Sequence, residues 1–149
     1  MKYFDVINKI KDHLENDPIV TTTSQGDILD LDLSKATLFP LAHIIVNNVT
    51  IGSQVTSYNV SIIGMDVVNF SKEKSSGFEG NDNELYILNT QLEVMKRICA
   101  VMTRGDLYRD GFELDGEPTA EPFTDRFENV VAGFTLSMTV RTPNEMTSC

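Results

Sequence analysis

The stretch EPFTDRFENVVAGFTLSMTV, residues 121–140, begins with charged residues and then becomes a regular alternation of apolar and polar side chains. Successive side chains of a β-strand point to opposite faces, so the alternation predicts a long strand over residues 134–141 with one buried face. Its polar face carries Thr and Ser rather than Lys, and at a sheet edge such a strand would lack the usual protection against pairing. We expect one backbone flank to stay open for a neighbouring chain. The candidate assembly residues on this strand are Phe134, Thr135, Ser137, Thr139 and Arg141.

An acid–base cluster precedes the strand, with Asp125 and Arg126 between Glu121 and Glu128. Two carboxylates beside an arginine can form an active site, but more often they form a salt-bridged corner. The sequence offers no tuned partner group elsewhere, so we expect Asp125 and Arg126 to fix the corner from which the strand departs and to belong to the assembly surface. An enzyme that uses Glu121 and Asp125 is the weaker alternative.

The clearest helical pattern lies upstream, between residues 81 and 105. Apolar residues recur there every three or four positions, which predicts one long helix whose broad apolar face packs across a sheet. Asn81 and Glu84 have the spacing of a capping box, and Gly105 supplies the stop. The predicted stripe consists of Leu85, Leu88, Leu92, Met95, Cys99 and Met102, and it is widened by Ile87, Val94, Ile98 and Val101.

The chain before this helix predicts one shorter helix and a series of strands. Residues 3–14 form an amphipathic pattern that ends before a proline. Residues 19–33 are typical of a hairpin, and two further strands within residues 41–69 join near Gly52. Gly64 interrupts the second of them, which indicates a β-bulge or a close approach of another part of the chain.

This order of elements predicts a single α+β domain over residues 1–149, with a mainly antiparallel sheet. A chain of 149 residues is long enough to bury one hydrophobic core. Residues 71–83 are the most polar stretch, rich in Gly and Ser, and predict a mobile surface loop. Residues 106–117 carry two Asp–Gly pairs, which predict an acidic hairpin or loop.

The charge balance argues against nucleic-acid binding. The net charge is −10, and no run of basic residues is longer than Lys96–Arg97, whereas affinity for phosphates depends on clustered Lys and Arg. The two cysteines favour synthesis in a reducing cytoplasm. The first residues do not have the pattern of a signal peptide, and no apolar run approaches the roughly 20 residues of a membrane span.

No motif for catalysis, cofactor binding or metal binding is recognisable. His13 and His43 have no second histidine or cysteine at a metal-ligand spacing. The acidic run near residue 30 lacks the glycine and glutamate positions of an EF-hand, and phosphate-binding glycine loops are absent. Cys99 lies within the helical pattern, where a thiolate is disfavoured. We expect no enzymatic activity and no cofactor, with calcium at residues 106–117 as a weaker alternative.

Three stretches carry a resemblance: FPLAHIIVNNVTI (39–51), NELYILNTQLEVMKRI (83–98) and EPFTDRFENVVAGFTLSMTVRTPNEMTSC (121–149). They resemble small virion proteins of tailed bacteriophages, including crAss-like and related phages. In element order the chain is also similar to the tail-terminator and neck family. Those proteins combine a short N-terminal helix, a curved antiparallel sheet and a helix packed across it. The resemblance therefore implies this fold and a structural role without metal or cofactor.

The resemblance also implies partners and a location. The subunit would form a ring with copies of itself at the head–tail junction of the virion, after synthesis in the host cytoplasm. It would dock on portal, connector or tail-tube proteins, and its acidic charge would let DNA pass without being bound. The alternative from another class is a small acidic adaptor that recruits a protein through residues 71–83 or 106–117. The candidate assembly residues on these segments are Phe78, Glu79, Asp110 and Asp115.

Overall fold

The computed structural model describes residues 3–26, 40–67, 82–105, 111–126 and 131–143, and for residues 67, 82–84 and 124–126 it describes the backbone alone. These ranges contain two helices and six strands. In chain order they are α1 (Tyr3–Glu15), β1 (Thr22–Gln25), β2 (Leu41–Ile51), β3 (Val55–Val67), α2 (Asp82–Arg104), β4 (Glu113–Leu114), β5 (Thr119–Arg126) and β6 (Val131–Pro143).

The strands form one mixed six-stranded sheet in the order β1-β2-β3-β6, with β4 and β5 both pairing with the far flank of β6. Only the β1–β2 pair is parallel within these ranges; the other pairs are antiparallel. The α+β class is therefore confirmed, and the sheet is mixed because β1 runs beside β2 in the same direction. The hairpin predicted for residues 19–33 cannot be followed beyond Gly26, since residues 27–39 lie outside the described part.

The predicted open flank of residues 134–141 is wrong, because β6 lies inside the sheet. One side of β6 pairs with β3 along its whole length, from Val131 to Pro143. Its other side pairs with β5 at residues 131–137 and with β4 at residues 140–141, and between them the Asp115 amide donates to the Thr139 carbonyl at 2.9 Å. Alternation in sequence reports which face of a strand is buried and carries no information about its two flanks.

The main core lies between the two helices and one face of the sheet. The register places the inward side chains of β3 and β6 opposite one another, including Tyr58 with Val140 and Ile62 with Leu136. Burying one such side chain contributes about 1.5–3 kcal/mol. From the helices the core receives Val6, Ile7, Ile10 and Leu14 of α1, and Val94, Met95, Ile98 and Met102 of α2.

The predicted apolar stripe of α2 is only partly right. Met95 and Met102 are buried as expected, but Leu85 is 70% exposed. The buried face instead continues through Ile87 and Gln91, the latter 1% exposed. Because polar Gln91 lies in the middle of the buried face, the apolar pattern of the sequence does not mark that face. The leucines of the pattern lie about one position to the side of it.

Gly64 marks a close approach and not the predicted bulge. The register runs without interruption through Gly64, opposite Ala42 on β2 and Phe134 on β6. A β-carbon there would lie 2.5 Å from Gln91 Oε1 and 2.7 Å from Met95 Cε, so the glycine lets α2 settle onto the sheet. The irregularity of the β2–β3 pair lies elsewhere, between residues 46 and 48.

Because the register is continuous, alternate residues of β3 point away from the helices. They contribute to a second buried cluster on the opposite face of the sheet, which lies near the start of β2 and of β6. Its members are Leu41, Ile63, Met65, Phe123 and Val131.

Candidate assembly surfaces

The sheet face opposite the helices turns polar towards the β2–β3 hairpin. We call this region the polar sheet face; it comprises Ser57, Asn59, Ser61, Ser137, Thr139 and Arg141, which lie side by side in the β3–β6 register. From β2, Asn47 Nδ2 donates to Asn59 Oδ1 at 3.0 Å and to Ser61 Oγ at 2.9 Å. Apart from Arg141 at one end, the side chains of this face are short, polar and uncharged.

The five candidate residues of the last strand are divided between the two faces of the sheet. Phe134 lies on the helix side and packs against the main core. Ser137 is exposed on the polar sheet face, and Thr139 and Arg141 are half-buried there. Thr135 shares that face, but its hydroxyl is buried without a hydrogen-bond partner among the described residues.

The other candidate residues are only partly described. Asp115 is exposed in the turn after β4. Asp125 and Arg126 belong to β5 just before its connection to β6, and Arg126 pairs with Val131, but their side chains lie outside the described part. Phe78, Glu79 and Asp110 also lie outside the described residues. Of the predicted 106–117 hairpin, the described part shows β4 pairing with β6.

Among the described residues, the outer flank of β2 is largely unprotected. This flank pairs with β1 only over residues 41–44, and the Gly26 amide closes this pairing on the Ile44 carbonyl at 3.1 Å. Among the described residues no strand covers the same flank from Ile45 to Ile51. This stretch, IVNNVTI, has no Pro and no charged residue, the usual guards of an edge strand. We call it the open β2 flank.

Four large apolar side chains at the start of α1 and the end of β2 are exposed. Tyr3 and Phe4 at the start of α1 are 53% and 58% exposed, and Val49 and Ile51 of β2 are 38% and 83% exposed. The Tyr3 ring packs against the Tyr58 ring at an angle of 47°, with ring centroids 6.2 Å apart, and Tyr58 is the register partner of Val49. The four exposed residues, Tyr3, Phe4, Val49 and Ile51, are called the apolar tip.

A groove of about 610 Å³ lies between the start of α1 and the middle of β2. It is bordered by Tyr3, Ile7, Ile44 and Val46, and by the last residues of β1. Tyr3 of the apolar tip and the first residues of the open β2 flank therefore border the same groove.

A second groove, of about 400 Å³, lies at the other end of the sheet between α2 and the β4–β5 strands. We call it the helix–strand groove. Burial in its wall raises the pKa of the Cys99 thiol. Basic side chains, Lys96 and Arg104, stand at its border. Its apolar lining consists of Leu92, Met95, Cys99, Leu114, Ala120 and Leu136.

A Ser–His pair lies at the end of β1, where sequence reasoning did not find it. His43 is fully buried; one ring nitrogen, Nδ1, is 2.6 Å from Ser24 Oγ and the other, Nε2, is 2.7 Å from the Gly26 carbonyl. A carbonyl can only accept, so Nε2 donates to the Gly26 carbonyl. The pair ties the end of β1 to β2. The two residues are 19 positions apart with no motif around them, so only the parallel β1–β2 pairing reveals them.

The chain matches no protein-family model, and no curated protein is significantly similar to it. Within the described ranges, no helix is both long and apolar enough to cross a membrane. In the same ranges, no three His, Cys, Asp or Glu side chains lie close enough together to hold a metal ion.

Proposed function

We propose that this chain is a non-catalytic structural subunit that assembles with copies of itself into a ring. The observation that carries the proposal is the open β2 flank, seven residues without charge or proline beside the exposed apolar tip. Unpaired strand edges of this kind bind other chains, and exposed apolar patches mark surfaces that become buried.

A ring follows because the two ends of the sheet are different. The end at β2 has an open strand and the apolar tip, whereas the far end has β5 with Pro122 and Glu121 exposed on it, and the helix–strand groove behind it. Contact between unlike surfaces is heterologous, and repeated heterologous contacts close into a ring when the rotation allows it.

The ring belongs, in this proposal, to the virion of a tailed phage, at the neck or the tail terminus. The support is the resemblance of the sequence to neck and tail-terminator proteins. The chain contains two kinds of element that this resemblance implies, a short first helix and a long second helix across one sheet. Its neighbours would be portal, connector or tail-tube proteins. A net charge of −10 per subunit would keep a DNA strand from adhering to the lumen.

The test compares two lysine variants of equal charge change. Ile51→Lys adds a guard to the open β2 flank at an 83% exposed position, so folding should be unchanged while ring formation is lost. Ser137→Lys places the same charge on the polar sheet face and should leave rings intact. Mass photometry and negative-stain microscopy, with and without neck proteins, give the readout.

Two results would overturn the proposal. One is a chain that stays monomeric at high concentration, also in the presence of virion proteins, and is missing from purified virions. The other is loss of rings in Ser137→Lys but not in Ile51→Lys, which would place the contact on the polar sheet face.

An adaptor remains the second candidate, and the open β2 flank favours it as well, since an exposed strand edge accepts an extended peptide of another protein. The two functions differ in stoichiometry. An adaptor would stay monomeric alone and form a one-to-one complex with its partner that Ile51→Lys abolishes.

A further inference from the structure

We infer that the helix–strand groove binds Tyr3 and Phe4 of the neighbouring copy, an inference that rests on the proposed self-assembly. We call this contact between copies the seat. The groove is a concave apolar surface whose lining side chains Leu92, Cys99, Leu114 and Ala120 are only half-buried. Its volume of about 400 Å³ is within the range of roughly 300–1,000 Å³ at which pockets enclose small ligands, so an aromatic side chain fits.

The start of α1 has the shape and chemistry of an anchor. Tyr3 and Phe4 are more than half exposed on the surface of a helix that is otherwise well packed. Aromatic side chains that insert into a partner's pocket carry a large share of the binding energy at protein interfaces. Leu85 and Tyr86, the other exposed apolar pair, lie in the first turn of α2, the same helix that walls the groove.

The charges of the subunit also favour α1 of a neighbouring copy as the occupant of the helix–strand groove. The subunit carries a net charge of −10, so two copies repel one another over most of their surfaces. The border of the helix–strand groove is an exception, with exposed Lys96 and Arg104, although Lys96 also lies 3.6 Å from Glu93. The exposed side of α1 carries Asp12, whereas Glu15 at the far end of the helix lies 3.9 Å from Lys11 of the same helix. Docking α1 on this border therefore brings Asp12 towards basic side chains.

The contact must be made between copies. Helix α1 packs against β1, β2 and the side of α2 that carries Val94 and Val101, whereas the groove lies on the other side of α2, towards β4 and β5. Strands β3 and β6 stand between the two sites in the sheet. An α1 that remains packed on its own β2 reaches only the groove of another subunit, and successive subunits would then extend head to tail.

A cross-link tests the seat directly, because the groove already contains a cysteine. The variant Phe4→Cys is made with Cys149→Ser, so that Cys99 is the one native thiol. A disulfide needs Cα atoms within about 7 Å, so oxidation of assembled protein links residue 4 of one copy to residue 99 of the next only if the seat is occupied. The expected result is a ladder of covalent oligomers on a non-reducing gel.

Two controls sharpen the experiment. Glu15→Cys puts the thiol at the exposed far end of α1 and should give no ladder, and Cys99→Ser in the Phe4→Cys chain should abolish it. Separately, Phe4→Ser should raise the concentration needed for assembly at least about tenfold without changing the melting temperature.

The outcomes separate this inference from the proposed function. Oligomers of normal size without a ladder, or with equal ladders from Phe4→Cys and Glu15→Cys, overturn the seat and leave self-assembly standing. The absence of any oligomer overturns both. Full assembly of Phe4→Ser at the wild-type concentration also overturns the seat.

Discussion

The guanidinium of Arg97 in α2 binds the carboxylate of Asp17, two residues after the end of α1, through two hydrogen bonds. Its Nε donates to Oδ2 at 2.7 Å and its Nη2 donates to Oδ1 at 2.8 Å. The Asp17 side chain is only 6% exposed, and its Oδ1 also accepts from the Ile19 amide at 2.9 Å. The hydrogen bond that Arg97 donates to Asp17 is the main reason that the pKa of Arg97 is raised. This contact fixes the connection after α1 onto the second helix, 80 positions away.

The first prediction concerns this pair. Arg97→Ala leaves a buried carboxylate without its charged partner and should lower the free energy of unfolding by about 1–3 kcal/mol. Arg97→Lys keeps the charge but not the two-pronged geometry, and should lose part of that amount. Urea unfolding measures both. The control is Lys96→Ala, whose ion pair with Glu93 is exposed and whose loss should change stability by less than about 0.5 kcal/mol. Equal effects of Arg97→Ala and Lys96→Ala would contradict the prediction.

The second prediction compares two glycines. A β-carbon on Gly133 would collide with the Gly64 carbonyl of the neighbouring strand, a backbone atom that cannot move without breaking the β3–β6 ladder. Gly133→Ala should therefore cost about 3 kcal/mol or more. A β-carbon on Gly64 meets only the ends of the Gln91 and Met95 side chains, so Gly64→Ala should cost less, about 1–3 kcal/mol.

Chemical denaturation of the two variants decides the second prediction. The slope of the unfolding curve should match wild type, since both substitutions act on the native state. A Gly133→Ala protein as stable as wild type would mean that the observed β3–β6 register is wrong.

The third prediction concerns the amide in the core. Both polar atoms of the Gln91 side chain are buried and have no hydrogen-bond partner in the described part of the chain. Leaving such a group unsatisfied costs about 1–3 kcal/mol, so Gln91→Met, which has a similar shape, should stabilise the fold by about 1–2 kcal/mol. Gln54→Met, an exposed position, is the matched control and should have no effect. A lower melting temperature for Gln91→Met would show that the amide is satisfied after all.

Periodicity allowed the elements to be predicted but not their neighbours. The two helices, the β2–β3 hairpin near Gly52 and the last strand all follow from local patterns of apolar residues. The position of β6 inside the sheet does not, because pairing depends on β4 and β5, whose short and proline-containing sequences carry a weak strand signal. The sequence therefore predicts an open flank at β6, whereas among the described residues an open flank lies on β2.

The candidate surfaces were harder to predict for a physical reason. The apolar tip joins Tyr3 and Phe4 to Val49 and Ile51, and the helix–strand groove joins α2 to β4 and β5. Each unites segments that are far apart in the chain, and no local spacing marks them. Sequence patterns identify residues that are apolar, and only the packing shows which of them remain uncovered.

The fourth prediction is a pH dependence at Cys99. Desolvation in the wall of the helix–strand groove raises the thiol's pKa above its ordinary value of 9.0. Since only the thiolate reacts with iodoacetamide, the midpoint of the pH–rate profile in dilute Cys149→Ser protein should lie above that of the same chain unfolded in urea. A midpoint at or below the unfolded one would contradict burial of the thiol.

The raised pKa of the Cys99 thiol also makes the stability of the fold depend on pH. A group whose pKa is higher in the folded state keeps its proton there while the unfolded chain releases it, so stability falls as the pH rises above about 9.0. Below that pH the thiol contributes no pH dependence. The Cys99→Ala substitution removes this pH dependence of stability. All other ionisable groups are the same in the Cys149→Ser protein and in the double variant with Cys99→Ala. The free energy of unfolding should therefore fall more steeply between pH 8 and pH 10 for Cys149→Ser than for the double variant with Cys99→Ala, and parallel curves would refute the shift.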